Sequence, residues 1–153
     1  MPKSMRRLSR RKAFQILYGL IFVPAKTREA LTTSFETAPK PPKDGELADK
    51  SDEFAWELVL GVWQESAKLD EIITRFSQHW KITRIAKIEL TILRLALFEM
   101  LHRPDIPLKV AINEAVELAK TFGDENSGNF VNGILDAAAK SIEHGDFGIH
   151  KGL

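Results

Sequence analysis

The amino-acid sequence predicts an all-α protein of about seven helices. Apolar side chains recur every three or four residues along most of the 153-residue chain, whereas the alternation typical of β-strands is hard to find. Prolines and glycines lie between the periodic segments and separate one predicted helix from the next. The chain contains no cysteine, which excludes a disulfide scaffold, a thiol nucleophile and a cysteine-ligated metal site.

The N-terminal third predicts two helices and a loop. Ser9 can cap a first helix that continues to about Val23, because Pro24 cannot extend it. A short second helix is predicted over 27–35. Three prolines and a glycine stand among charged residues in 38–46, and this composition favours a stiff, exposed Pro-rich loop.

The middle of the chain predicts three further helices. Ser51 and the two acidic residues after it are typical of a helix start, and core-facing apolar residues continue from there to Leu69. Asp70 is interpreted as the start of a separate helix over 70–78. The most apolar segment, 85–101, predicts a central helix that is contacted on several sides.

The C-terminal third predicts the last two helices. Helical spacing over 111–122 ends at Gly123, a residue typical of a helix C-terminus. A polar loop over 124–127 precedes a last helix that includes 130–138. We expect the tail, 145–153, to be frayed.

Charge is distributed unevenly along what we expect to be a single domain, 1–153. Residues 1–28 contain eight basic and no acidic residues, whereas the rest contains 14 basic and 21 acidic residues. A net charge of +1 therefore conceals a segment of +8 followed by a body of −7. A basic arm over 1–12 on an acidic body is typical of a protein that binds phosphates with one end. The alternative is a solvated basic terminus with no binding role.

The apolar stretch 13–23 that follows the basic arm resembles the hydrophobic region of a signal peptide. Gln15 and Tyr18 interrupt it at helical spacing, and no small-x-small cleavage site follows Val23. No apolar run approaches the roughly 18–20 residues that a membrane-spanning helix needs. We therefore expect a cytoplasmic protein that does not bind a membrane.

Residue patterns that would indicate an enzyme are absent from the sequence. No histidine stands at a metal-binding spacing from another histidine or a carboxylate, and no glycine-rich phosphate-binding motif or Gly-x-Ser-x-Gly motif occurs. The sequence predicts a protein that is not an enzyme, with no catalytic residue, no metal and no cofactor. The four histidines considered are His79, His102, His144 and His150.

Two groups of residues indicate nucleic-acid binding instead. Arg6, Arg7 and Arg10 precede or open the first predicted helix, and guanidinium groups suit phosphate oxygens. Phe130 follows Asn129 close to the polar loop, where a ring could stack on an unpaired base. The alternative is that Phe130 begins the apolar stripe of the last helix and belongs to the core.

Tyr18 and Phe22 lie four residues apart on the first predicted helix, off its main apolar line. They form either an exposed patch for a protein partner or an ordinary helix pair in a second layer of the core. Both interpretations are compatible with the spacing.

Three polar residues interrupt the apolar helices of the C-terminal half. Arg94 lies within the most apolar helix, and Asn113 and Asn132 lie within the two helices that follow. The sequence predicts a buried hydrogen-bonded network, with Arg94 paired to Glu114 or Glu117. The alternative is that these polar residues bind a ligand.

Four segments of the C-terminal half stand out in their order and spacing. They are IELTILRLALFE at 88–99, DIPLKVAINEA at 105–115, ELAKTFG at 117–123 and FVNGILD at 130–136. These segments resemble the NusB family of transcription antitermination factors. The Arg-rich start that leads into QILY at 15–18 is similar too, so the resemblance covers nearly the whole chain. The Pro-rich loop over 38–46 is outside the family pattern.

The resemblance implies a fold of two small helical bundles and binding of the single-stranded boxA element of ribosomal RNA operon transcripts. It also implies a partner, NusE, which is a small-subunit ribosomal protein, and loading onto the elongating RNA polymerase complex with the other Nus factors. The sequence is also compatible with a homodimer. The alternative function is a protein-interaction module whose RNA binding is non-specific.

Positions that match the family's motifs carry candidate site residues. The resemblance implies RNA binding by Arg6, Arg7, Arg10 and Phe130, with Asn129 in the loop beside it. It implies NusE binding by Tyr18, Phe22 and Glu89. A related helical domain occurs in ribosomal RNA cytosine methyltransferases, but this chain has no cysteine for their nucleophile.

Overall fold

The structure, a computed structural model, describes residues 3–39, 46–78 and 80–152, and within them all side chains except those of 46–51. Helices and the turns between them account for these ranges, in which no strand occurs, and this confirms the all-α prediction. The elements are α1 (Lys3–Phe22), α2 (Arg28–Thr37), α3 (Glu46–Phe76), a 3₁₀ turn (Ile82–Arg84), α4 (Lys87–His102), α5 (Leu108–Phe122) and α6 (Ser127–Glu143).

The described ranges contain six α-helices rather than about seven, because two predicted helices are one. α3 continues without a break through Asp70, the predicted start of a separate helix. No proline or glycine occurs between Val62 and Phe76 to end the helix. The Asp70 carboxylate instead accepts two hydrogen bonds from Arg94, at 2.6 and 2.7 Å.

The predicted start of the first helix is wrong by two turns. α1 begins at Lys3, and Ser9 lies inside it as a fully buried residue. Its hydroxyl donates to the carbonyl oxygen of Met5, four residues earlier, at 2.9 Å, a bond that serine commonly makes within helices. The predicted start of the second helix is confirmed, since the Thr27 hydroxyl accepts a hydrogen bond from the backbone N–H of Ala30.

The chain divides into two compact units, Met1–Gln64 and Glu65–Leu153. In the first unit, the indole N–H of Trp63 on α3 donates to the carbonyl oxygen of Ala25, in the connection between α1 and α2, at 3.1 Å. Phe35 on α2 lies edge-to-face against Trp56 on α3. Apolar side chains that are buried in this unit include Phe14, Leu17, Leu31, Phe54, Leu58 and Val62.

In the second unit, α4, α5 and α6 pack against one another. The central helix predicted over 85–101 corresponds to α4, where every residue from Leu90 to Met100 except Arg94 is buried. Arg94 pairs with Asp70 on α3, not with Glu114 or Glu117 as predicted. The predicted buried network is also wrong for Asn113 and Asn132, since both are exposed.

The C-terminal tail differs from the frayed segment that we expected. Phe147 lies against Phe76 with 6.4 Å between ring centroids. The ammonium of Lys151 donates to the carbonyl oxygens of Glu99, Met100 and Arg103 at 3.2, 3.2 and 2.7 Å. The carbonyl oxygens of Glu99 and Arg103 also accept hydrogen bonds from the backbone N–H groups of Arg103 and Ile106. Lys151 therefore adds side-chain hydrogen bonds at the C-terminal end of α4, where a cation is favourable. Burial lowers the pKa of Lys151 from its usual 10.5, against an opposing effect of Glu99.

Most of the predicted Pro-rich loop over 38–46 lies outside the described residues. Over the ranges that are described, no helix is long and apolar enough to cross a membrane.

Candidate nucleic-acid interface

Helix α1 presents a row of basic residues on its exposed side. Lys3, Arg7 and Arg11 follow one another at intervals of four residues, and all three are exposed. Residues four apart lie on one face of a helix, so the three side chains form a single stripe about 12 Å long at 1.5 Å of rise per residue. We call these three residues the cationic stripe.

Arg6 and Arg10 lie on a different side of α1 and contact the ring of Phe54. Each guanidinium carbon lies 5.5 Å from the Phe54 ring centroid, a distance typical of a cation–π contact. Arg10 is only 2% exposed, whereas Arg6 is half-buried. Arg10 therefore serves the packing of α1 on α3, and Arg6 lies between that packed face and solvent.

Lys12 is also turned towards the protein. Its ammonium donates to Asp52 Oδ1 at 2.7 Å and lies 4.3 Å from the centroid of the Phe35 ring. The side chain is 7% exposed. The basic arm predicted over 1–12 thus divides into an outward set, the cationic stripe, and an inward set that holds the first unit together.

A local capping arrangement fixes the start of α6. Asp124 Oδ1 accepts hydrogen bonds from the backbone N–H groups of Asn126 and Ser127 at 2.8 and 3.1 Å, and the Ser127 hydroxyl accepts one from the backbone N–H of Asp124 at 3.0 Å. This is the reciprocal pattern of a capping box, formed in the turn that leads into α6, whereas the N-cap residue Asn126 makes no side-chain capping bond. Gly123 is required before it, because a Cβ there would lie 2.6 Å from Ser127 Cβ.

Asn129 and Phe130 lie in the first turn of α6 and not in a loop, since the helix begins at Ser127. Asn129 is exposed and Phe130 is half-buried. The Phe130 ring meets the ring of Trp80 edge-to-face, with 6.3 Å between centroids. Trp80 itself is 52% exposed, so the two rings form an aromatic pair that reaches the surface of the second unit.

The residues expected to bind a protein partner occupy both units. On α1, Phe14, Tyr18 and Phe22 form an aromatic column, with centroid distances of 5.9 Å for the first pair and 5.2 Å for the second. The column begins in the core, where Phe14 is 2% exposed, and ends at the surface, where Phe22 is 58% exposed. Glu89 is half-buried in the first turn of α4, in the second unit.

Three surface residues were missed when the site was inferred from the sequence. Lys3 and Arg11 belong to the cationic stripe, and Trp80 covers the edge of Phe130. The four-residue spacing of Lys3, Arg7 and Arg11 was a visible signal, but the helix start inferred at Ser9 put the first two outside the helix. Trp80 lies in a connection, where helical periodicity gives no information about exposure.

The sequence is similar to those of known proteins. Residues 7–140 match the model of the NusB family. The chain is 55% identical over 147 residues to the transcription antitermination protein NusB of Oleidesulfovibrio alaskensis, covering 93% of this chain and 92% of that protein.

Solved structures are similar as well. NusB from T. maritima has a TM-score of 0.78 at 35% identity, over 92% of both chains. A chain in a complex of the antitermination factors NusB and NusE with double-stranded RNA has a TM-score of 0.71 at 26% identity, over 92% of this chain and 99% of that one. The match to the family model and the identity to its curated members show that this chain belongs to the NusB family of transcription antitermination proteins.

Proposed function

We propose that this protein binds boxA-type single-stranded RNA of ribosomal RNA operons together with NusE, as part of an elongating RNA polymerase complex in the cytoplasm. The observation that carries the proposal is the cationic stripe on α1, formed by Lys3, Arg7 and Arg11. A similar structure contains NusB with NusE and double-stranded RNA, which supports NusE and an RNA as partners.

The position of the basic residues favours a phosphate ligand. The first turns of α1 contain no acidic residue, and Lys3, Arg6 and Arg7 stand at the end of the helix that carries the positive end of its dipole. Cations at that end are unfavourable for the isolated helix, and a bound phosphate would relieve this repulsion. The stripe is therefore suited to follow an RNA backbone, with Arg6 beside it.

In the second unit, Phe130 with the exposed Asn129 supplies a position for an unpaired base. The half-buried ring of Phe130 stands in the first turn of α6, next to the capped segment that begins at Asp124. Aromatic rings stack on any of the four bases, and a neighbouring amide can add hydrogen bonds to a base edge. The capping box fixes the helix turn that holds both residues.

Phe130→Ala tests this position. If the ring stacks on a base, the substitution should cost about 1–3 kcal/mol of RNA-binding free energy. The measurement is fluorescence anisotropy of labelled boxA RNA, beside thermal unfolding of the same variant. Lost thermal stability with unchanged RNA affinity would assign Phe130 to the core and remove it from the interface.

NusE binding is assigned to Tyr18, Phe22 and Glu89. The aromatic column ends at Phe22, which is 58% exposed, and Val23 directly after α1 is 75% exposed. Exposed apolar clusters are typical of protein interfaces. Aromatic anchors of this kind carry much of the binding energy at such surfaces.

Phe22→Ala should weaken NusE binding by about 1–2 kcal/mol and leave the stability of the free protein nearly unchanged, because most of the ring is already in water. Isothermal titration calorimetry of the variant with NusE gives its affinity for NusE. RNA binding in the absence of NusE serves as the control. An unchanged NusE affinity would place the partner surface elsewhere.

A further inference from the structure

A second basic segment, separate from α1 in the sequence, contains the exposed Trp80. From residue 72 to residue 88 the chain contains four basic residues besides His79 and no acidic one. Three of the four, Lys81, Arg84 and Lys87, follow Trp80 within seven residues and are exposed. The segment therefore has a local charge opposite to that of the acidic body to which it belongs.

Two hydrogen bonds hold the backbone of Trp80 in place. Ser77 is 4% exposed, and its hydroxyl donates to the carbonyl oxygen of Trp80 at 2.9 Å. The backbone N–H of Trp80 donates to the carbonyl oxygen of Ser77 at 3.2 Å. The indole meets Phe130 edge-to-face, yet half of it stays in water. A large ring held at the surface in this way loses little conformational freedom when a ligand binds to its open part.

Lys81 follows Trp80 directly in the chain and precedes the 3₁₀ turn, and Arg84 is the last residue of that turn. The backbone N–H of Arg84 donates to the carbonyl oxygen of Lys81 at 2.8 Å. This hydrogen bond closes one turn of the chain and brings the backbones of the two cationic residues close together. Neither is in an ion pair within the part of the chain that the structure describes.

We propose that Trp80 is a second base-stacking position, and that Lys81 and Arg84 bind the phosphates of the nucleotide stacked on it. The ligand is an unpaired nucleotide of the same single-stranded RNA, next to the one at Phe130, so this inference rests on the proposed function. An exposed ring interleaved with basic residues is the combination by which proteins bind single-stranded RNA. A protein partner would not need the two cations that follow Trp80 in the chain.

The test measures binding of boxA RNA to the full chain by fluorescence anisotropy. Trp80→Ala should weaken binding about 5- to 150-fold, the range that corresponds to the loss of one stacked base. Trp80→Phe should restore most of the affinity, because a phenyl ring can also stack. Lys81→Ala with Arg84→Ala should lower the slope of log K against log salt by about 1.4, since each phosphate contact on a single strand contributes about 0.7.

The matched control is His102→Ala, which removes another exposed ring that packs on a phenylalanine of the second unit, Phe98. This control should bind RNA like the unmodified protein. Intrinsic fluorescence gives a second readout: RNA should quench the unmodified protein and should quench Trp80→Phe much less, because Trp56 and Trp63 are half-buried.

The outcomes separate this inference from the proposed function. If the unmodified protein binds boxA RNA and Trp80→Ala binds it equally well, the stacking position at Trp80 is wrong and the proposed function stands. If Trp80→Ala and Trp80→Phe lose affinity equally, the ring supports Phe130 and does not stack, which also overturns the inference. If the unmodified protein binds no RNA, both the proposed function and the inference are wrong.

Discussion

Replacing Lys3, Arg7 and Arg11 of the cationic stripe with alanine is expected to reduce the salt dependence of RNA binding more than any other change on α1. Each phosphate contact on a single strand contributes about 0.7 to the slope of log K against log salt, so three contacts contribute about 2. Anisotropy titrations between about 50 and 200 mM salt give the slope directly. The variant should also bind more weakly at every salt concentration in that range.

A matched control keeps the change in net charge the same. Lys109, Lys120 and Lys140 are exposed lysines on α5 and α6, and replacing all three with alanine should leave the slope nearly unchanged. Arg10→Ala should lower thermal stability, because Arg10 is buried against Phe54. Equal slopes for the stripe variant and the lysine control would remove α1 from the RNA interface.

Arg94→Met is expected to lower the free energy of unfolding by about 2–3 kcal/mol. Two hydrogen bonds of 2.6 and 2.7 Å join the Arg94 guanidinium to the Asp70 carboxylate, and the side chains are only 20% and 28% exposed. Without the Arg94 cation, the largely desolvated Asp70 carboxylate has no opposite charge beside it. The resulting loss of folding free energy is larger than the net contribution of the intact pair. Partial exposure to solvent places the expected effect below that of a fully buried pair.

A double-mutant cycle checks this expectation. Urea denaturation is measured for the unmodified protein, Arg94→Met, Asp70→Asn and the variant that combines both substitutions. Asp70→Asn combined with Arg94→Met should be more stable than Arg94→Met alone, since the combined variant leaves no charge unpaired. A loss below about 0.5 kcal/mol for Arg94→Met, or strict additivity of the two substitutions, would contradict a structural role for the pair.

Helical periodicity predicted the all-α fold because most helices here bury one face. Where the same side-chain chemistry has two uses, the sequence did not show which one applies. The Ser9 hydroxyl can cap a helix, but here it bonds back to the carbonyl of Met5 inside α1. The Asp70 carboxylate can begin a helix, but here it binds Arg94, which lies 24 residues away in the chain.

The candidate site was predictable in kind but not in detail. The charge of residues 1–28 indicates phosphate binding, and the family resemblance selects Arg6, Arg7 and Arg10. Which arginines face solvent depends on the rotation of α1, and that rotation is set by packing on Phe54 and α3, which are distant in sequence. For this reason Arg10 is buried and Arg11 is exposed, although the two are neighbours.

The most direct test of the central claim is the affinity of the full chain for a boxA single strand and for a scrambled strand of the same composition, with and without NusE, at several salt concentrations. We expect a preference for boxA that increases when NusE is present. Equal and steeply salt-dependent binding of both strands, unaffected by NusE, would contradict the claim and would leave a protein whose RNA binding is non-specific.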